Sequence, residues 1–227
     1  MNTPRRRWLA AAFALLLLCS MTLTVLAAEY YIDGGNIEIT DTQIKQEGKD
    51  AAPHEDSVTI SQRDKGVATF NNVSVKTENN DVNAVLKDVT IQGFEGAPVS
   101  VDRGEGTTVT VELDGENTLI SDQNTAALQV SGEGDLVIDD KDGNGTLNAT
   151  SYGIQGAGIG GGEGQDGSNI TINGGTVNAM NVLLGRNIDQ IVFGGRTLEL
   201  RDLVKGQTAK TEYIVSAGKL TLDGKEV

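Results

Sequence analysis

Between Gly153 and Met180 the chain reads GIQGAGIGGGEGQDGSNITINGGTVNAM, and ten of the first 23 residues of that stretch are Gly. No helix tolerates this density, because each Gly costs about 1 kcal/mol against Ala in a helix interior. The remainder, NITINGGTVNAM, is two short alternating apolar runs around a Gly-Gly turn, the pattern of strand, turn and strand. The same phrase occurs upstream. VELDGENTLIS (111–121), VIDDKDGNGTLNA (137–149) and ITINGGTVNA (170–179) share apolar alternation, an Asp/Asn–Gly turn, then Thr, an apolar residue and a small one. The template sets Leu113, Ile138 and Ile172 in one column. It sets Leu119, Leu147 and Val177 in another, spaced by 28 and then 30 residues. A phrase recurring at that period marks a solenoid, in which each repeat is one coil stacked on its neighbours.

The rest of the chain reads the same way. YYIDGGNIEIT (30–40) is strand, Gly-Gly turn and strand. ATFNNVSV (68–75) and AVLKDVTI (84–91) are one eight-residue phrase, which matches Phe70 to Leu86, Val73 to Val89 and Val75 to Ile91. The polar stretch 41–57, with Pro53 and the sole histidine, His54, is expected to be an irregular loop or cap. The clearest repeats lie at 109–180, and the short apolar runs of 185–227 are expected to be divergent C-terminal rungs. Two all-β architectures suit many short strands, an antiparallel sandwich and a parallel β-helix. Columns that keep one residue type from repeat to repeat favour the parallel β-helix: Thr146 with Thr176, Asn148 with Asn178, Ala149 with Ala179.

Residues 1–27 carry three arginines, an apolar run from Leu9 to Leu18 and a small-residue cleavage site at Val25-Leu26-Ala27. That is the layout of a secretory signal peptide, which leaves 28–227 as a single domain outside the cell, secreted or held at its surface, with no membrane span. The only Cys and the only Trp fall within the signal, so the expected mature chain has no disulfide. Removing three arginines and no acid takes the formal net charge from −14 to −17. A chain this acidic repels nucleic acid and attracts cations. We expect a monomer.

At GAGIGGG…NITINGGTVNA, preceded by LDGENTL, the sequence resembles secreted bacterial surface proteins built from right-handed parallel β-helix repeats, a family often labelled carbohydrate-binding-domain proteins and similar in architecture to pectate lyases. The resemblance implies a right-handed coil. It also implies non-catalytic binding of polysaccharide, calcium-dependent and directed at acidic glycans.

The candidate metal site is DDKDGNG (139–145), where Asp140, Asp142, Asn144 and Gly145 match the opening D-x-D-x-N-G of a calcium loop. The loop's twelfth position is Ser151, so the bidentate Glu of that motif is missing. The repeat template adds Asp114 beside Asp139 on neighbouring rungs, about 4.8 Å apart, with Glu112 close by. Carboxylates that close need a cation between them, either Lys141 or calcium. GAGIGG at 156–161 lacks the following helix that a dinucleotide site requires, so its glycines are expected to serve tight corners, Gly158 in particular with positive φ. A structural or adhesion module with a protein partner is the alternative function. A lyase would need a Lys or Arg base, for which Arg103, Arg186, Arg196 and Arg201 are available without a motif. Aromatics are sparse after the signal: Tyr30, Tyr31, Phe70, Phe94, Tyr152, Phe193 and Tyr213. Their scarcity argues against an aromatic sugar platform, leaving glycan contacts to outward Thr and Asn columns or to metal-bridged carboxylates.

Overall fold

The computed structural model describes residues 29–54, 57–94, 96–122, 124–152, 156–163, 165, 167 and 169–180, and the backbone of five further strands between 190 and 226. The expected signal peptide, 1–27, lies outside the described residues. Val, Ile and Thr alternate with polar residues along most strands, and branched side chains fit the pleated, half-buried surface this creates. The chain opens with β1 (Glu29–Tyr31), a short 3-10 turn and β2 (Ile37–Thr40), followed by β3 (Gln43–Gln46) and β4 (Ala52–Pro53). It then coils through β5 (Val58–Ser61), β6 (Val73–Thr77), β7 (Val82–Lys87), β8 (Thr90–Gly93), β9 (Val99–Arg103), β10 (Thr108–Asp114), β11 (Glu116–Ser121) and β12 (Leu128–Gly132). The last clear coils are β13 (Asp135–Asp139), β14 (Thr146–Ser151), β15 (Ile159–Gly160), β16 (Ile170–Ile172) and β17 (Thr176–Met180).

These strands form three sheets that run the length of a parallel β-solenoid of about five turns. The first sheet stacks β1, β5, β7, β10, β13 and β16; the second β8, β11, β14 and β17; the third β2, β6, β9, β12 and β15. Each of these rungs pairs parallel with the next. Inward positions form apolar columns, such as Val58, Ala84, Val111, Ile138 and Ile172 in the first sheet and Ile37, Val73, Val99, Leu128 and Ile159 in the third, every one of them buried.

The registers confirm part of the sequence template and shift the rest. Thr146/Thr176, Asn148/Asn178 and Ala149/Ala179 are directly paired, and Asn178 Nδ2 donates to Asn148 Oδ1 at 2.6 Å. Ile138 lies opposite Ile172, but its partner on β10 is Val111, not Leu113, which stacks on Leu86. Leu147 and Val177 share a column whose third member is Asn117, not Leu119. The 68–75 and 84–91 phrases do not stack: Val73 belongs to the third sheet opposite Val99, and Val89 sits just before β8. The stretch 41–57 is more regular than expected. β3 and β4 fold back antiparallel onto β2 and cover the free edge of the third sheet. Toward the C-terminus only β18 (Gln190–Phe193) continues the parallel stack, on β16. β19 (Arg196–Glu199) pairs antiparallel with β18, and β20 (Glu212–Ser216), β21 (Lys219–Leu222) and β22 (Lys225–Glu226) extend antiparallel from β17, so these four strands do not continue the parallel rungs.

Of the polar residues buried in the stack, Arg103 and Asn117 make the most hydrogen bonds to corner carbonyls. Arg103 follows Thr77 in an inward column and is 2% exposed; below it Gly132, with φ 86°, has no side chain to fill the same space. The guanidinium donates to the carbonyls of Ser131, Gly132 and Asn169 at 3.1–3.3 Å, which suits a residue whose planar fork carries five donors. Burial lowers its pKa from the ordinary Arg value, against the opposing pull of Asp135 and Asp102. Arg103 is therefore a corner clamp and is not placed to act as a catalytic base. Asn117, fully buried, accepts from Val89 N and donates toward the carbonyls of Asp114, Gly115 and Thr146.

Candidate functional site

The second sheet ends each coil at one aligned column: Gly93, Ser121 and Ser151. The chain then turns toward the third sheet. Ser121 and Ser151 point inward, and both hydroxyls donate to the Thr125 carbonyl, at 2.9 and 3.0 Å. At Gly93 the turn is tighter still, since a Cβ there would fall 2.1 Å from the Gly96 carbonyl. With this column held inward, strand alternation sends the next residue out. Those residues are Phe94, Asp122 and Tyr152, on three successive rungs. Phe94 is 62% exposed and Tyr152 60%, about 10 Å apart by two strand spacings. One rung earlier, Thr69 bridges to Ile91, and Phe70 follows it, 64% exposed. Its ring meets Phe94 edge-to-face, with centroids 6.5 Å apart. Three of the chain's few aromatics therefore line one edge of the solenoid, although their scarcity argued against an aromatic platform. Large exposed apolar rings in a row are a marker of a binding surface.

Two open clefts flank that edge. One, of about 650 Å³, is lined by Phe94, Asn124, Thr125, Gln129, Gly162, Glu163 and Gln165. The other, of about 320 Å³, lies beside Phe70 and includes Asp33, Gln62, Asp64 and Asn71. In the larger cleft Asn124 Nδ2 donates to Glu163 Oε2 at 2.9 Å, and Glu163 N to the Asn124 carbonyl at 2.8 Å. Gln129 Oε1 is buried in the cleft wall without a hydrogen-bond partner among the described residues. Neither cleft is lined by Lys or Arg among the described residues.

The Gly-rich loop forms the far wall. Its glycines act chiefly through close approach: a Cβ on Gly156 would lie 2.1 Å from the Thr125 carbonyl, and one on Gly161 2.1 Å from that of Gln165. Among the loop's described residues Gly160 is the glycine with positive φ (135°), and Gly158 does not have one.

The expected calcium residues are only partly brought together. Asp139 lies opposite Glu112, and Asp114 lies opposite Lys87, so the Asp114–Asp139 column does not exist. Lys87 Nζ sits 2.8 Å from Asp114 Oδ2, and that carboxylate holds the ammonium above its ordinary pKa. Lys141 relieves the Glu112–Asp139 neighbours: its Nζ is 2.9 Å from Glu112 Oε2 and its N–H donates to Oε1. Asn144 Nδ2 donates to Asp142 Oδ2 at 2.8 Å and toward Asp114 Oδ1 at 3.4 Å. Asp140 accepts the Gly143 and Gly145 N–H groups, and Asp142 Oδ1 accepts Asn144 N. These carboxylates already close their own turn, a poor fit to a cation that needs six to eight oxygens. No group of three or more His, Cys, Asp or Glu able to hold a metal occurs among the described residues. His54 packs in the cap with Nε2 2.7 Å from the Thr40 carbonyl. Arg186 and Arg201 lie outside the described residues.

The chain matches no family model, no curated protein and no solved structure. Of the resemblance to carbohydrate-binding β-helix proteins, the parallel β-solenoid is what the structure shows. Among the described residues no helix is long and apolar enough to cross a membrane.

Proposed function

We propose that this protein is a non-catalytic polysaccharide-binding β-helix, acting outside the cell, whose glycan lies along the Phe70–Phe94–Tyr152 edge. The observation that carries the reading is the aromatic row itself. Rings projecting from three of four successive coils, with Asp122 on the remaining one, offer apolar faces to sugars along the chain, and the amides of Asn124 and Gln129 beside Phe94 offer hydrogen bonds to hydroxyls. A solenoid suits a polymeric ligand, because its rungs repeat along one straight line. Calcium is not required by this arrangement and enters as a variable of the test.

Affinity electrophoresis through gels containing neutral, acidic and basic polysaccharides, each with calcium and with EDTA, tests the proposal. Intact protein should be retarded by at least one polymer. Phe94→Ala should weaken that interaction about three- to tenfold, the loss of one aromatic contact of roughly 0.5–1.5 kcal/mol, with Tyr152→Ala weakening it less. Migration unchanged in every gel, from folded protein, would overturn the reading and leave an adhesion module with a protein partner. Release of unsaturated product would instead mark a lyase.

A further inference from the structure

Resting on that reading, we infer that the cleft beside Phe94 takes an amino-sugar unit with a free, protonated amine, so that the glycan is a basic polysaccharide and not an acidic one. The cleft is supplied with acceptors. Gln129 Oε1 is buried in its wall with no donor among the described residues, and a rotation of this side chain toward the cleft would present that unpaired acceptor to a ligand N–H or O–H. Glu163 uses Oε2 for the Asn124 amide and leaves Oε1 without a partner among the described residues. Beyond the cleft the same edge carries Asp122 in line with Phe94 and Tyr152, and Asp33 and Asp64 in the cleft beside Phe70. Near that end Arg63 lies over the Tyr31 ring and 3.5 Å from Asp33, and Lys65 is paired with Asp88. A uronate chain laid here would meet carboxylates with no cation lining either cleft; an ammonium-bearing chain meets opposite charge and an aromatic face together. Gly162 keeps the space open. A Cβ at this position would lie 2.9 Å from Gln129 Oε1 and 3.3 Å from the Asn124 carbonyl, so Ala would occupy the place where the amine sits without straining the backbone.

Calorimetric titration of the full chain with short oligomers of glucosamine, N-acetylglucosamine and galacturonate, near pH 6 and at low and high salt, is the test. Glucosamine oligomers should bind about tenfold tighter than the N-acetylated ones, a preference that shrinks at high salt, and galacturonate oligomers should not bind. Glu163→Gln and Gly162→Ala should each remove the preference. Glu133→Gln, which deletes a charge at a different corner of the coil, should keep it and so separates site binding from general attraction to an acidic protein. Equal binding of free and acetylated sugars, or binding of the uronate, overturns this inference and leaves the glycan reading standing. Binding of none of them, together with unretarded migration in the polysaccharide gels, overturns both.

Discussion

Asp88 illustrates how a single side chain serves a corner. Its backbone is left-handed, φ 51°, which Asp and Asn tolerate better than most residues. One carboxylate oxygen accepts Glu116 N at 3.1 Å, and the other lies 2.6 Å from Lys65 Nζ. The Lys65 hydrogen bond, helped by the Glu116 N–H, holds the carboxyl below its usual value in spite of partial burial. The folded-state pKa is thus below the unfolded one. The resulting stability is present above the ordinary carboxylate range and is lost as pH falls through the depressed value. Lys65 is largely exposed, so the ion pair contributes at most about 1 kcal/mol, and less at high salt. Thermal melts between about pH 6 and pH 2 should show the midpoint falling with acid, and Asp88→Asn should lower it at neutral pH while making the fall shallower. An Asp88→Asn curve parallel to that of the unaltered protein would exclude this residue as a source of acid sensitivity.

Among the elements, the register of β10 and β11 separates what could be read from what could not. Alternation with period two identifies strands and their inward faces, and nearly every predicted core residue of 109–180 is buried. A slip of two residues preserves that alternation, so the pattern cannot detect it; only a one-residue slip would turn apolar groups outward. Apolar-on-apolar matching therefore set Leu119 over Leu147, when the column holds Asn117. Asn117 belongs there because the corner carbonyls of Asp114, Gly115 and Thr146 need donors that no aliphatic residue supplies. Asn117→Leu, the residue the repeat template favours, should accordingly destabilise the fold by about 2–3 kcal/mol, read as a lower urea midpoint with unchanged slope. A midpoint at or above that of the unaltered protein would mean that apolar column packing outweighs the corner bonds. The Asp114–Asp139 pair of the calcium expectation is absent for the same reason, since the two were aligned through a column misplaced by two residues. The aromatic edge left a faint trace in sequence: TIQGF, TLISD and NATSY each end one residue past a small, inward-facing one. That trace is legible only once the true register is known, and a count of aromatics hides it.

For the molecule as a whole, a stack of parallel strands poses the problem of its ends. Each terminal rung carries a row of N–H and C=O groups ready to pair with another chain, and flat hydrophobic edges of this kind template aggregation. Here the β3–β4 hairpin lies antiparallel over β2, and β20 lies antiparallel over β17, so each of these ladders is closed by strands running against its parallel direction. A second molecule cannot add to either of these two ladders in the register that carries the coil forward. The small hairpin is thus a terminator of polymerisation, and its sequence is free to be polar because it has only to occupy an edge. Deleting residues 42–54 with a short Gly-Ser bridge should leave the coils themselves intact, with strand-rich circular dichroism, but give a protein that grows end to end with concentration, where the unaltered chain should not. Sedimentation of the deletion variant as a single small species at every concentration would show that something other than this hairpin keeps one solenoid from becoming a fibre.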